Sequence, residues 1–236
     1  MIRFTKEEVL ARWRSGCIVS CQALEDEPLH GSAFMAMMAR AAEQGGAAGI
    51  RANSPEDVRA IKEVCRIPVV GLYKVEYADS DVWITPTQRE ARLIAEAGAD
   101  ALAIDATGRR RPNGESLESI ISAVRDEYPH LLLFADVSTR EEGEAAMRAG
   151  ADFVSTAIAG YTPYSAATEE PAYELMRELS ALGRAPVIAE GRVWTREQAK
   201  LCLEAGAYAV VVGTAITRPR EITKRFVQAL EEKVDS

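Results

Sequence analysis

AGADALAID, at residues 97–105, is the stretch that decides the fold. A glycine closes a helical stretch and an apolar run follows at once, which is typical of a helix that ends and leads into a buried strand. Similar phrases start at 45, 149 and 205, so the central glycines recur at intervals of 52, 52 and 56 residues. These glycines are Gly46, Gly98, Gly150 and Gly206. The chain therefore repeats one helix-to-strand unit.

Further apolar runs lie between these phrases, and several are introduced by proline. They bring the number of predicted strands to eight: 17–22, 48–52, 68–74, 101–107, 131–137, 153–160, 186–192 and 209–214. Apolar strands that alternate with helices predict a parallel sheet covered by helices. Eight such units favour a single (β/α)₈ TIM-barrel domain over residues 1–236. The alternative is a flavodoxin-like open sheet, which would have to absorb eight units and a fourfold repeat.

Three threonines carry helix-start signals. Thr87, Thr139 and Thr195 each stand three residues before Glu or Gln, which is the spacing of a capping box. Each predicted helix then ends at a glycine 11 residues after its threonine. Residues 1–14 predict a leading amphipathic helix that could close the bottom of the barrel.

Composition excludes several classes of partner. The chain has 236 residues, is 47% hydrophobic and carries a formal charge of -8. This negative charge gives no electrostatic attraction to nucleic acid or to an anionic membrane. Its start lacks the pattern of a signal peptide, and no apolar run is long enough to span a bilayer. We therefore expect a cytoplasmic protein. Four cysteines without a CxxC pair and only two histidines predict no metal site.

Polar residues stand where most of the predicted strands end, and in a TIM barrel the active site lies at that face. A charge at the end of an apolar strand costs desolvation, which favours a function for it. The residues are Gln22, Arg51, Lys74, Asp105, Asp136, Thr156, Glu190 and the pair Gly213–Thr214.

Lys74 is the leading candidate for a catalytic base, because an amine at the mouth of an apolar barrel can have its pKa lowered toward neutrality. Glu190 is the corresponding carboxylate, which could act as an acid or orient the lysine. The structural alternatives are a solvated loop lysine and an ion pair of Glu190 with Arg51 or Arg192.

Glycines after the last two predicted strands indicate a phosphate site, since these loops often cradle phosphate with backbone amides. Gly191 and Arg192 follow Glu190, Gly213 and Thr214 close the eighth run, and Arg218 lies near enough to add a charged contact.

Two other interpretations of the strand ends stay open. Asp105, Asp136 and Glu190 could surround Mg²⁺, although Arg109, Arg110 and Arg111 offer ion-pair partners to Asp105. The segment YTPYS at 161–165 predicts either a sugar-contacting loop or a plain surface turn.

The chain resembles the N-acetylmannosamine-6-phosphate 2-epimerases of bacterial sialic-acid and amino-sugar catabolism, nearly from end to end. The resemblance rests on SCQALEDEPLHG, AGIRANSPEDV, GLYK, ITPT, AIDAT with RRRP, FADVST, AGYT, AEGR followed by TREQA, and VVVGTAITRP. The sequence departs at Val75–Glu76, where the family has an Arg-Asp pair.

The resemblance implies that Lys74 and Glu190 are the acid/base residues. Gln22, Arg51 and Asp136 would contact the sugar, its acetamido group or each other. The 6-phosphate would be bound by Gly191, Arg192, Gly213, Thr214 and Arg218.

The reaction implied is removal and return of the C2 proton after ring opening, which interconverts N-acetylmannosamine 6-phosphate and N-acetylglucosamine 6-phosphate. This reaction needs no metal or organic cofactor. The resemblance also implies a homodimer. Trp13 and Trp83 could lie in its interface or, equally, in the core. One rival is an aldolase in which Lys74 forms a Schiff base with a keto-sugar phosphate. A phosphosugar sensor without chemistry is the other, but it would be expected to lack Lys74 or Glu190.

Overall fold

Eight strands close into a barrel in which each strand pairs in parallel with its two neighbours along the chain, and β8 pairs with β1. The structure is a computed structural model that describes residues 3–231. The strands are β1 Cys17–Cys21, β2 Gly49–Asn53, β3 Val69–Leu72, β4 Ala101–Asp105, β5 Leu132–Asp136, β6 Phe153–Ser155, β7 Val187–Ala189 and β8 Ala209–Val212. The predicted TIM barrel is confirmed, and the open-sheet alternative is wrong.

Helices connect the strands and cover the barrel. They are α1 Lys6–Trp13, α2 Ser32–Gln44, α3 Pro55–Val64, α4 Gln88–Glu96, α5 Leu117–Glu127, α6 Arg140–Ala149, α7 Tyr173–Ala181, α8 Arg196–Glu204, α9 Thr214–Thr217 and α10 Pro219–Glu231. A short 3₁₀ turn at Pro112–Gly114 precedes α5. Residues 1–2 and 232–236 lie outside the described residues, so a single domain over 1–236 stays a prediction.

The predicted helix at the start of the chain is present as α1, and it closes the bottom of the barrel. Thr5 and Glu8 form a capping box at its first turn. Trp13, at its other end, is fully buried and packs against the ring of Phe153 at 4.9 Å and that of Phe134 at 6.2 Å between ring centroids. Trp13 is therefore a core residue and not part of an interface. Residues 1–2 of the predicted helix lie outside the described part of the chain.

All three predicted threonines begin helices, but only two form the complete box. Thr139 and Thr195 cap α6 and α8 reciprocally with Glu142 and Gln198. Thr87 caps α4 through the backbone amide of Arg89. Its partner Glu90 is buried and accepts hydrogen bonds from the hydroxyls of Thr87 and Tyr77.

All strands except β2 are shorter than the apolar runs that predicted them, and the residues left beyond the strand ends form the mouth of the barrel. β3 ends at Leu72 and β7 at Ala189, so Lys74 and Glu190 lie one or two residues beyond the last ladder positions. Side chains bind the backbone there: the amide of Lys74 donates to Asn53 Oδ1 at 2.8 Å, and that of Glu190 donates to Thr156 Oγ1 at 3.0 Å. Both residues therefore emerge from the sheet on fixed backbone.

Within residues 3–231, no helix combines the length and the apolar character that crossing a membrane requires.

Candidate active site

The mouth of the barrel contains a cavity with two lobes. The glycine lobe has a volume of about 440 Å³ and is lined by Gly191, Arg192, Gly213, Thr214 and Arg218, among others. The arginine lobe has a volume of about 330 Å³ and is lined by Arg51, Ile84, Arg109 and Ile158 in addition to the shared residues. The residues shared by the two lobes are Gln22, Lys74, Trp83, Ala157, Tyr161 and Glu190.

Lys74 stands at the junction of the lobes with its amine over the ring of Trp83, 4.8 Å from the ring centroid. Burial lowers the pKa of Lys74 to about 8, and the positive charge of Arg51 acts in the same direction, while Glu190 and Asp136 oppose it. An amine with such a pKa is neutral in a substantial fraction of molecules near physiological pH and can accept a proton. The solvated-lysine alternative does not describe this environment.

Arg51, Asp136 and Glu190 form one charged cluster behind the amine. Asp136 is fully buried and accepts two hydrogen bonds from Arg51, at 3.0 and 2.6 Å. Arg51 Nη1 also lies 3.0 Å from Glu190 Oε2. Asp136 does not line either lobe, so any effect it has on a substrate would pass through Arg51.

Glu190 is thus held by Arg51, as the ion-pair alternative anticipated, and it also faces both lobes. Burial raises the pKa of Glu190 to about 7 even though Arg51 acts to lower it. Ser155 Oγ lies 3.5 Å from the same carboxylate oxygen. A carboxyl group with a pKa near neutrality can both donate and accept a proton.

Gln22 directly follows β1 and lines both lobes. Its amide nitrogen donates to Ser20 Oγ at 2.9 Å, whereas its buried amide oxygen has no hydrogen-bond partner within residues 3–231. Buried acceptors are normally paired. This oxygen is therefore available to a donor on a bound molecule.

Two glycine-containing turns line the glycine lobe. Gly191 and Arg192 have φ angles of +103° and +59°, so the backbone turns sharply directly after β7, where both residues line the lobe. Gly213 is the N-cap residue directly before α9, and a Cβ on it would lie 3.3 Å from the Cβ of Ser20. Glycine at this position therefore lets β8 and β1 approach closely at the edge of the lobe.

The two predicted phosphate-binding arginines are engaged differently. The guanidinium of Arg192 donates to the carbonyl of Ala159 at 2.7 Å and lies under the ring of Tyr161 at 4.4 Å, so its side chain holds the loop after β6. Arg218 donates through Nε to Glu27 at 2.8 Å, and no hydrogen bond to another described residue uses its terminal nitrogens. The structure thus brings all ten predicted site residues to the mouth of the barrel, but the side chain of Arg192 is occupied by its own chain.

The three carboxylates of the magnesium alternative are engaged elsewhere. Asp136 is paired with Arg51, and Asp105 accepts hydrogen bonds from Arg109 and Thr107. Among the described residues, no three His, Cys, Asp or Glu side chains are grouped so that they could hold a metal ion.

Sequence reasoning missed Trp83, Arg109 and Glu27 as residues of the site. Trp83 reaches Lys74 because residue 84 pairs with residue 74 in an isolated antiparallel bridge, a contact that no local pattern announces. For Arg109 the ion pair with Asp105 was foreseen, but its place in the cavity was not. Of the segment 161–165, Tyr161 lines both lobes, so this segment is more than a surface turn.

The fold and the cavity define a (β/α)₈ barrel with a lysine and a carboxyl group at the junction of two lobes, one of them lined by glycine-containing turns after β7 and β8. A family model described as "Putative N-acetylmannosamine-6-phosphate epimerase" matches residues 35–232. The chain belongs to this family.

Individual relatives agree with the family match. A protein of Caldanaerobacter subterraneus subsp. tengcongensis named "Putative N-acetylmannosamine-6-phosphate 2-epimerase" is 51% identical over 96% of this chain and 95% of its own length. A protein of Shouchella clausii with the same name is 49% identical over 94% of this chain and 99% of its own. These names do not favour the aldolase alternative.

A solved structure agrees as well. The N-acetylmannosamine-6-phosphate 2-epimerase from Clostridium perfringens is 45% identical, matches with a TM-score of 0.92 and covers 97% of this chain and 99% of its own. The aldolase QR15 also matches, with a TM-score of 0.66 and 20% identity, and this likeness shows the fold alone.

Proposed function

We propose that this protein interconverts N-acetylmannosamine 6-phosphate and N-acetylglucosamine 6-phosphate by moving the proton at C2, as an isomerase of amino-sugar catabolism. The observation that carries the proposal is the junction of the two lobes, where an amine and a carboxyl group with pKa values of about 8 and 7 face the same cavity. Family membership supports the same reaction.

The proposed chemistry begins with opening of the sugar ring. The C1 aldehyde makes the C2 proton acidic, and neutral Lys74 removes it. The resulting enolate is reprotonated on its other face, with Glu190 as the partner in ring opening or proton transfer. Arg51 is held by Asp136 and stays charged, so it positions Glu190 and adds positive charge next to the developing enolate.

Binding at the phosphate would anchor the substrate for this step. In the proposal, backbone amides at Gly191, Arg192, Gly213 and Thr214 hold the 6-phosphate, and Arg218 adds a charged contact. Binding energy from a group remote from C2 then contributes to orienting the reacting carbon. Gln22 would contact the sugar through its unpaired amide oxygen.

The test of the base is the variant Lys74→Ala. Proton NMR in deuterated buffer would follow N-acetylmannosamine 6-phosphate, and we expect the wild type to form N-acetylglucosamine 6-phosphate with solvent deuterium at C2. The variant should be slower by roughly 10²–10⁴-fold, because it lacks the general base. Circular dichroism would check that it folds, and Lys200→Ala, at an exposed lysine of α8, is the matched control.

Near-normal turnover by Lys74→Ala would reject the assignment of Lys74. Borohydride treatment of the wild type in the presence of a keto-sugar phosphate adds a second readout. A covalent adduct of this compound on Lys74 would favour the aldolase instead.

We also propose that the protein is a homodimer located in the cytoplasm. α10 has no buried residue among Pro219–Glu231, and Phe226, Val227 and Leu230 are exposed on it, which suits a surface that a second copy covers. The four cysteines are free thiols, as expected in a reducing compartment.

A further inference from the structure

Arg109 is bound on one side only. Its Nη2 donates to Asp105 Oδ2 at 2.6 Å and its Nε donates to Thr107 Oγ1 at 3.0 Å. Asp105 is fully buried at the end of β4, so the guanidinium has a fixed position. Within residues 3–231, Nη1 makes no hydrogen bond to the protein, and the side chain lines the arginine lobe.

Apart from Arg109 and the residues shared with the glycine lobe, the arginine lobe is lined by two isoleucines and one arginine that is already paired. Ile84 and Ile158 line it and are nearly inaccessible, with 7% and 4% of their surface exposed. Arg51 is committed to Asp136 and Glu190. A small apolar wall next to one fixed cationic donor matches an amide group that carries a methyl, because the methyl needs burial and the carbonyl oxygen needs a donor.

The arrangement of the lobes indicates which part of the substrate the arginine lobe would bind. If the phosphate lies in the glycine lobe and C2 lies at the shared residues Lys74 and Glu190, the substituent on C2 points into the arginine lobe. We infer that Arg109 is a specificity residue that donates through Nη1 to the carbonyl oxygen of the 2-acylamino group, while Ile84 and Ile158 contact its methyl. The inference rests on the proposed function and identifies the residues that recognise the acyl group.

The test compares two ligands that differ only at C2: N-acetylglucosamine 6-phosphate and glucose 6-phosphate. Calorimetry on the wild type should show roughly 10–100-fold tighter binding of the acetamido ligand, the range expected for one hydrogen bond to a charged group. Arg109→Lys keeps a positive charge near Asp105 but loses the planar second donor. This variant should lose most of the preference, because it binds the acetamido ligand more weakly while its affinity for glucose 6-phosphate stays nearly the same.

Arg110→Lys is the matched control, since Arg110 is exposed and adjacent, and it should leave both affinities unchanged. Equal weakening of both ligands by Arg109→Lys would mean that Arg109 only supports the fold, and it would overturn the inference. So would equal binding of the two ligands by the wild type, a measurement that does not depend on whether the variant folds.

Turnover separates this inference from the proposed function. A wild type that prefers the acetamido ligand but leaves N-acetylmannosamine 6-phosphate unchanged in the NMR assay would contradict the proposed function and support the acyl pocket. A wild type that epimerises without any preference at C2 would contradict the acyl pocket alone.

Discussion

Two residues, Lys74 and Glu190, have pKa values displaced toward each other, and this sets the expected pH dependence. Burial lowers the pKa of the amine to about 8 and raises that of the carboxyl group to about 7. The base must be neutral to accept a proton, so kcat/KM should fall tenfold per pH unit well below pH 8. If Glu190 also acts as an acid, the profile is bell-shaped with its maximum midway between the two pKa values, at about pH 7.5, and activity falls tenfold per pH unit well above pH 8.

The variant Glu190→Gln tests the coupling between the two groups. The negative charge of Glu190 favours the ammonium form of Lys74, so its removal should shift the pKa of Lys74 further below 8. The measurement is a titration of the Lys74 Cε resonance in ¹³C-labelled protein. Glu197→Gln, on the exposed face of α8, is the control and should not move the resonance. An unchanged or raised pKa in Glu190→Gln would contradict the described cluster.

At the scale of elements, Glu142 ties three loops at the mouth of the barrel to the start of α6. Besides completing the capping box with Thr139, its carboxylate accepts hydrogen bonds from the amide of Gly108, the amide and hydroxyl of Ser138 and the hydroxyl of Tyr164. These donors belong to the segments that follow β4, β5 and β6. The glutamate of this capping box therefore holds three loops in addition to capping α6.

Replacing Glu142 by Ala should lower the free energy of unfolding by about 3 kcal/mol, because the two buried donors of Ser138 and the partly buried donors of Gly108 and Tyr164 lose a charged acceptor. Gln198→Ala removes the equivalent member of the capping box on α8 and should cost about 1 kcal/mol, as a helix cap does. Urea denaturation of both variants gives the comparison. Equal losses would show that the loop contacts of Glu142 add nothing to its role as a cap.

At the scale of the whole molecule, the exposed apolar side chains of α10 are the surface on which the proposed homodimer can be tested. The proposed homodimer predicts a sedimenting mass of twice 25.7 kDa. The double variant Phe226→Asp with Leu230→Asp should dissociate it, since two charges would have to be buried in an apolar contact. Leu201→Asp, at an exposed leucine of α8, is the control and should remain dimeric. A monomeric wild type would contradict the proposal.

The sequence alone was enough to predict the barrel, the helix that closes its bottom, and the residues at the strand ends. These follow from local signals, because a glycine after a helix and an apolar run after the glycine report their structure within about ten residues. The repeat at Gly46, Gly98, Gly150 and Gly206 then leaves little choice of architecture.

Only the tertiary structure decided how the side chains at the mouth are used. Arg192 is turned onto the carbonyl of Ala159, Arg51 is enclosed by Asp136 and Glu190, and Trp83 returns over Lys74. Each of these contacts joins segments that are distant in sequence or that turn back on themselves after a strand. Their geometry depends on the closure of the barrel, which brings eight strand ends to one face, and no local pattern of residues encodes the distances between them.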